Sequence, residues 1–197
     1  GFLVLISMVL FYLDDNILSY SEEEEIVIRD KMFKIDEYVS ELKLPVMIDF
    51  IGDHVLVIEK DGYVRIIKNG VLVSDPVLQL EVSNTIEEGL IGILVKNNDV
   101  FIHHTTQNLE DGSTSNWFTK YQWDGTILRD PVELLSFHNG NGMHNSGIMI
   151  EDENGIVYGG IGDTGNEDGL FQNVPSGLNN YTGSIISLED PMEVYAI

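Results

Sequence analysis

The chain has 197 residues, of which 10 are Lys or Arg and 33 are Asp or Glu, so its formal net charge at pH 7 is −23. This excess of acidic residues argues against binding to nucleic acid or to anionic lipid, because both need clustered Lys and Arg. The chain has no cysteine, which excludes disulfides, thiolate metal sites and cysteine nucleophiles. Ala196 is the only alanine, whereas Val, Ile, Tyr, Phe and Thr are frequent, and this balance predicts an all-β protein.

Residues 1–13 are uncharged and almost entirely apolar, and they run directly into Asp14-Asp15. The run has the length of a signal-peptide core or of part of a transmembrane helix, and the basic residues that normally precede a signal core are missing. We therefore expect a truncated signal or membrane anchor and an extracytoplasmic protein, either secreted or attached to the membrane through this segment alone. A cleaved signal and a permanent anchor remain alternatives, as does a buried core segment.

Residues 14–25 form an acidic stretch that ends in four consecutive glutamates, Glu22-Glu23-Glu24-Glu25. A block of like charges is typical of a solvated linker. The sequence predicts that a β domain follows at residues 26–197 and begins with a strand at 26–28.

From Leu44 onward, short apolar runs alternate with turn residues. Asp61-Gly62 and Asn69-Gly70 lie between β-rich runs, and these dipeptides are the strongest local signals for hairpins. The pattern therefore predicts antiparallel, up-and-down strands, at residues 46–51, 54–59, 63–67, 71–73, 89–95, 99–105, 117–123, 148–150 and 156–161.

An Asp-Pro motif with similar neighbours occurs three times, beginning at Asp75, Asp130 and Asp190. Each copy follows one predicted strand and opens another, so proline is predicted at strand boundaries, where no ladder hydrogen bond is lost. The spacings of 55 and 60 residues, with several strands in each unit, are typical of a β-propeller. About three blades are predicted, and because three blades do not close a ring, we expect a fragment of about half a domain.

The polar residues with the clearest chemical potential are His144 and Asp163. His144 lies just before one predicted strand, and Asp163 lies just after the next strand of the same hairpin. Both therefore belong to the same end of the sheet, where the carboxylate can accept from one ring nitrogen and leave the other as a general base. A turn histidine satisfied by the backbone is the alternative.

His103 and His104 are adjacent on a predicted strand. Adjacent strand residues point to opposite faces and cannot chelate one metal ion together. The sequence therefore predicts that both histidines have packing roles.

From about Glu25 to its end, the chain resembles the glucose/sorbosone dehydrogenase family. The resemblance covers about the first half of the family's domain. It depends on four stretches in the family's order, namely 44–50 with 54–60, Glu87-Glu88-Gly89-Leu90-Ile91-Gly92-Ile93, Met143-His144-Asn145-Ser146-Gly147 and Gly162-Asp163-Thr164-Gly165.

The resemblance implies a propeller that has six blades when complete, with pyrroloquinoline quinone (PQQ) and calcium as cofactors. It implies that His144 is the base that takes a proton from a sugar hydroxyl, that Asp163 orients and stabilises this histidine, and that Glu87 lies beside the cofactor. Met143 stands where the best-studied members have Asp. The calcium loop and the basic residues that hold the quinone lie beyond Ile197 in the family, so this segment alone is expected to hold no cofactor.

These features predict an extracytoplasmic PQQ-dependent dehydrogenase that oxidises aldose sugars or related alcohols and passes electrons to an external acceptor. The main alternative is a non-catalytic β-propeller that serves as a binding module at the cell surface, since one fold serves many functions. A propeller hydrolase with a central calcium ion is a third possibility, although no ring of inward-facing carboxylates can be identified for it.

Overall fold

A computed structural model of the protein describes residues 36–139, 142–164, 182–189 and 194–196. Its regular elements are 13 β-strands, and they belong to one compact unit, Tyr38–Ile197. No helix in the described ranges is long and apolar enough to cross a bilayer. The predicted anchor at 1–13, the linker at 14–25, the strand at 26–28 and the third Asp-Pro copy lie outside the described residues.

The strands form three antiparallel sheets that follow one another along the chain. In the second and third sheets consecutive strands are neighbours, as the hairpin signals predict, and in the first sheet this holds except that the fifth strand pairs with the third. The first sheet contains β1 (Pro45–Ile51), β2 (His54–Glu59), β3 (Tyr63–Lys68), β4 (Val71–Leu72) and β5 (Leu78–Gln79). The second contains β6 (Leu90–Lys96), β7 (Asp99–Gln107), β8 (Thr114–Trp123) and β9 (Leu128–Asn139), and the third contains β10 (Ser146–Glu151), β11 (Val157–Ile161), β12 (Ser184–Ser187) and β13 (Val194–Ala196).

Turn chemistry explains why these strands pair in this register. Asn69 and Gly70, between β3 and β4, have φ angles of 51° and 74°. Two positive φ angles define the type I′ turn, whose twist matches that of the flanking strands. Local turns of this kind fold each sheet as an up-and-down unit, which is the organisation of a propeller blade.

The Asp-Pro repeat marks the outermost strand of the first two sheets. Asp75-Pro76 separates β4 from β5, and both of these strands pair with β3, so the predicted strand boundary is confirmed there. The same prediction is wrong for Asp130-Pro131, which lies inside the 12-residue strand β9.

A β-bulge allows β9 to continue through this proline. Lys120 pairs with Val132 and Gln122 pairs with Arg129, so Asp130 and Pro131 lie together opposite Tyr121. Asp130 has a φ of 53°. A bulge leaves the extra residue outside the ladder, and a strand with a free side loses little when a donor is missing.

Two apolar cores lie between the sheets. One core joins the first and second sheets through residues such as Leu56, Ile66 and Ile102, and the other joins the second and third through residues such as Phe101 and Ile186. Strand β7 supplies both cores, because its side chains alternate between the two faces of the middle sheet. The three sheets are therefore stacked face to face, like consecutive blades.

The outward faces of this stack are apolar and exposed. On β1, the face turned away from the second sheet carries Val46, Ile48 and Phe50. On β10, the face turned away from the second sheet carries Ile148 and Ile150. In a closed propeller the corresponding faces lie against neighbouring blades.

The backbones of β6 and β10 approach each other closely where the second and third sheets meet. A Cβ on Gly92 would lie 2.1 Å from the carbonyl oxygen of Gly147, and a Cβ on Gly147 would lie 2.5 Å from that of Ile91. Such contact is possible only for glycine. It places the loop before β10 directly beside the segment that leads into β6.

Candidate active site

His144 and Asp163 meet at one end of the third sheet, as their positions around the hairpin predict. Ser146 on β10 pairs with Ile161 on β11, so the residues that flank these strands lie side by side. Nδ1 of His144 is 2.7 Å from Oδ1 of Asp163. The His144 side chain is 50% exposed and that of Asp163 is 22% exposed, so a small molecule can reach the imidazole while the carboxylate lies deeper.

The pairing with Asp163 defines the tautomer of the neutral imidazole. Because a carboxylate only accepts hydrogen bonds, it selects the form that carries its proton on Nδ1, and the lone pair is then on Nε2. The arrangement can therefore accept a proton at Nε2 and stabilise the imidazolium that results.

The main chain of His144 is held from two sides. Its N–H donates to Oε2 of Glu87 at 2.5 Å, and its carbonyl accepts from the N–H of Thr164 at 3.4 Å. A Cβ on Gly162 would lie 1.8 Å from the same carbonyl oxygen. His144 has a φ of 57°, an unusual backbone conformation that persists only when its surroundings impose it.

A buried chain of hydrogen bonds runs beneath this loop from the second sheet. Oδ1 of Asn116 accepts from Nε2 of His103 at 3.1 Å and from Oγ1 of Thr105 at 3.1 Å. Nδ2 of Asn116 donates to Oδ1 of Asn145 at 2.9 Å, and Nδ2 of Asn145 donates to the carbonyl of Gly142 at 3.0 Å. His103, Thr105, Asn116 and Asn145 are all buried.

Next to this chain, the buried carboxylate of Glu88 accepts three hydroxyl hydrogen bonds. Thr85 donates at 2.5 Å and Thr114 at 2.8 Å, and Ser83 donates the third. Glu88 is 2% exposed. These bonds compensate for part of the cost of burying a polar carboxyl group, and they connect the segment before β6 to β8.

His103 and His104 are buried on opposite faces of β7, which confirms their predicted packing roles. Burial, followed by the charge of His104, lowers the pKa of His103 from 6.5 to about 3, although the bond to Asn116 raises it. The ring of His103 stacks on Phe118 with centroids 4.3 Å apart. Burial lowers the pKa of His104 from 6.5 to about 4. Both histidines are therefore neutral at neutral pH.

The structure brings together all three site residues that the sequence singles out, His144, Asp163 and Glu87. The catalytic roles of the first two, and the predicted position of Glu87 beside a cofactor, stay predictions. Sequence reasoning missed the buried chain through Asn116 and Asn145. The position of Asn145 within the motif that contains His144 is a signal from which its role could have been predicted. Nothing in the local sequence around Asn116 indicates a role at the site.

The chain belongs to the glucose/sorbosone dehydrogenase family. The family model described as Glucose / Sorbosone dehydrogenase matches residues 42–195. Among curated proteins, none matches this chain.

Solved structures with the same fold include sugar dehydrogenases. An oxidoreductase from Thermus thermophilus, described as a glucose dehydrogenase, is 22% identical with a TM-score of 0.65, over 77% of this chain and 46% of that one. The PQQ-bound form of the aldose sugar dehydrogenase of Streptomyces coelicolor is 20% identical with a TM-score of 0.62, over 78% of this chain and 46% of that one. The chain therefore spans less than half the length of these proteins, and the predicted β-propeller fold is confirmed.

Proposed function

We propose that this protein is a PQQ-dependent dehydrogenase of aldose sugars or related alcohols, and that the present chain supplies the proton-accepting side of its active site. The observation that carries the proposal is the 2.7 Å contact between Nδ1 of His144 and Oδ1 of Asp163. This pair lies at an accessible sheet end in a chain whose family model is that of glucose and sorbosone dehydrogenases.

In this proposal, Nε2 of His144 takes the proton from the substrate hydroxyl that is to be oxidised. Asp163 holds the ring by Nδ1 and stabilises the positive charge that the ring acquires. A general base in the correct position contributes about 10²–10⁴-fold to a rate. Glu87 holds the main chain of His144, so the ring approaches the substrate from a constant direction.

A bound quinone would supply the redox chemistry by accepting the hydride that leaves the substrate carbon. The described residues fit one side of such a group, since His144 and the exposed Glu87 can face a quinone and a sugar hydroxyl. Glu87 and Asp163 are anionic, so they cannot pair with the carboxylates of PQQ. We therefore assign to this chain only the base side of the site.

Calcium belongs to the proposal through the family resemblance alone. The described part of the chain contains no group of three or more His, Asp or Glu side chains that could hold a metal ion. We therefore assign no calcium ligand to the described residues of this chain.

We further propose that the protein acts outside the cytoplasm and passes its electrons to an external acceptor. The support is the uncharged run at residues 1–13, which is followed at once by acidic residues. Fractionation of cells that express the protein tests this proposal, because recovery in the cytoplasmic fraction alone would contradict it.

The test of the proposed activity uses the complete protein incubated with PQQ and calcium. Reduction of an artificial dye is followed across a panel of aldoses for the wild type, His144→Ala and His138→Ala. His138 is an exposed histidine on the outermost strand of the second sheet, so it serves as the matched control. We expect turnover in the wild type and in His138→Ala, and a loss of about 10²-fold or more in His144→Ala. If neither turnover nor quinone binding were observed, the protein would be a non-catalytic propeller module.

A further inference from the structure

We propose that Asn145 is a positioning residue for His144, and this inference rests on the proposed function. Asn145 is 1% exposed and directly follows the histidine, so it cannot reach a substrate in solvent. Its side chain instead bridges two groups, because Oδ1 accepts from Asn116 at 2.9 Å and Nδ2 donates to the carbonyl of Gly142 at 3.0 Å. The bridge spans the base of the loop that carries His144.

The second sheet determines the direction of every bond in this bridge. His103 is neutral because burial lowers its pKa to about 3. Oδ1 of Asn116 accepts hydrogen bonds from both His103 and Thr105. The amide nitrogen of Asn116 must then point to Asn145. Oδ1 of Asn145 faces that nitrogen, which leaves its own amide nitrogen for Gly142. A buried network in which each donor has an acceptor has one preferred arrangement.

The carbonyl of Gly142 joins this network to the His144 backbone. It accepts from the side chain of Asn145 at 3.0 Å and from the main-chain N–H of Glu87 at 3.2 Å. The carboxylate of the same Glu87 accepts from the N–H of His144. Asn145 thus completes a ring of contacts that holds His144 at its unusual φ of 57°, and without the ring the strained residue would relax.

The test compares Asn145→Ala with Thr105→Val in the complete protein. Thr105→Val removes one of the two donors to Oδ1 of Asn116, but His103 still donates there and fixes the direction of the amide. The chain from Asn116 through Asn145 to Gly142 is therefore kept, and the variant controls for general damage to the buried network. Asn145→Ser provides a second variant, since its short side chain cannot span Asn116 and Gly142 at once. The readouts are kcat and KM with an aldose, and the ¹⁵N resonances of the imidazoles, of which the chain has five.

We expect kcat to fall about 10- to 100-fold in Asn145→Ala with KM changed by less than about threefold, because misplacement of a base by about 1 Å costs up to 10²-fold. The His144 ring resonances should shift away from the pattern of an imidazole protonated on Nδ1. Thr105→Val should keep the wild-type kcat and the wild-type His144 resonances. If Asn145→Ala does not fold, Asn145→Ser should show the same changes.

Retention of wild-type kcat and of the wild-type His144 resonances in the folded Asn145 variants would overturn the proposal. If the wild type itself shows no turnover, the proposed function fails. The ¹⁵N resonances of His144 alone then test whether Asn145 positions the ring. A shift of the His144 signals in the Asn145 variants but not in Thr105→Val supports the positioning role, and unchanged signals contradict it.

Discussion

The main-chain N–H of His144 donates to Oε2 of Glu87 at 2.5 Å, across 57 residues of sequence. Glu87 lies just before β6 in the second sheet, and His144 lies just before β10 in the third. The bond therefore joins the segments that lead into two different sheets at the candidate site. A hydrogen bond to an ionised acceptor is roughly twice as strong as a neutral one, so this contact is well suited to hold His144 in place.

Removal of the Glu87 carboxylate should release the His144 backbone. We expect Glu87→Ala to lower kcat by about 10-fold or more, since the base loses its fixed approach to the substrate. Glu87→Gln keeps an oxygen acceptor for the His144 N–H and should retain more activity than Glu87→Ala. Dye-reduction kinetics on both variants check this order, and equal losses would show that the negative charge matters more than the hydrogen bond.

Replacement of Asp163 by Asn tests the tautomer of His144. An Asn amide can donate to Nδ1, and this would place the imidazole proton on Nε2, where the lone pair is needed. We expect Asp163→Asn to lower kcat by about 10²–10⁴-fold, because an equivalent change in a serine protease triad costs about 10⁴. Histidine ¹⁵N spectra should show the tautomer change, and a variant with normal kcat would contradict the role of Asp163.

A methyl group at residue 162 should displace the His144 loop. The Cβ of Gly162→Ala would lie 1.8 Å from the His144 carbonyl oxygen, so the loop or β11 must move. We expect a loss of about 10-fold or more in kcat.

The control for this variant is Gly52→Ala. Gly52 has a φ of 56° and open space around the position of a Cβ, so the change costs about 1–2 kcal/mol of backbone strain but causes no clash. This control should lower the thermal midpoint and keep kcat per folded molecule. Wild-type kcat in Gly162→Ala would show that the loop can accommodate the methyl group without moving the base.

Acid should destabilise the protein through its two buried histidines. Burial lowers the pKa of His103 to about 3 and that of His104 to about 4, from 6.5 in the unfolded chain. Between these values the unfolded state binds more protons, so the free energy of unfolding falls as the pH drops below about 6.5. The slope is up to about 1.4 kcal/mol per pH unit for each histidine.

Urea unfolding at pH 7, 6 and 5 measures this slope. The difference between the wild type and His104→Leu reports the titration of His104 together with the effect of its charge on the pKa of His103. His104→Leu should show a shallower loss of stability on acidification than the wild type. Identical slopes in the wild type and His104→Leu would contradict the prediction, because His104 would then bind the same number of protons in the folded and unfolded states.

Local features of the sequence predict most of the strands, because turns and period-two alternation act between near neighbours. The hairpins around Gly62 and Gly70 follow from their turn residues. For β9, the sequence predicts only a strand boundary at the Asp-Pro repeat, because a proline such as Pro131 normally interrupts a ladder. The bulge that lets the strand continue through Pro131 depends on the pairing with β8.

The all-β class and the order of the hairpins follow from the order of the residues alone. The meeting of His144 with Asp163 does too, since those residues flank two strands that a short turn joins. The contacts that support His144, in contrast, depend on how the sheets pack together. Glu87 lies in the segment before the second sheet and Asn116 lies within that sheet, and both reach the His144 loop because Gly92 and Gly147 let the backbones of the second and third sheets meet. Contacts between sheets depend on packing across a shared core, and no local pattern in the sequence encodes which side chains that packing brings together.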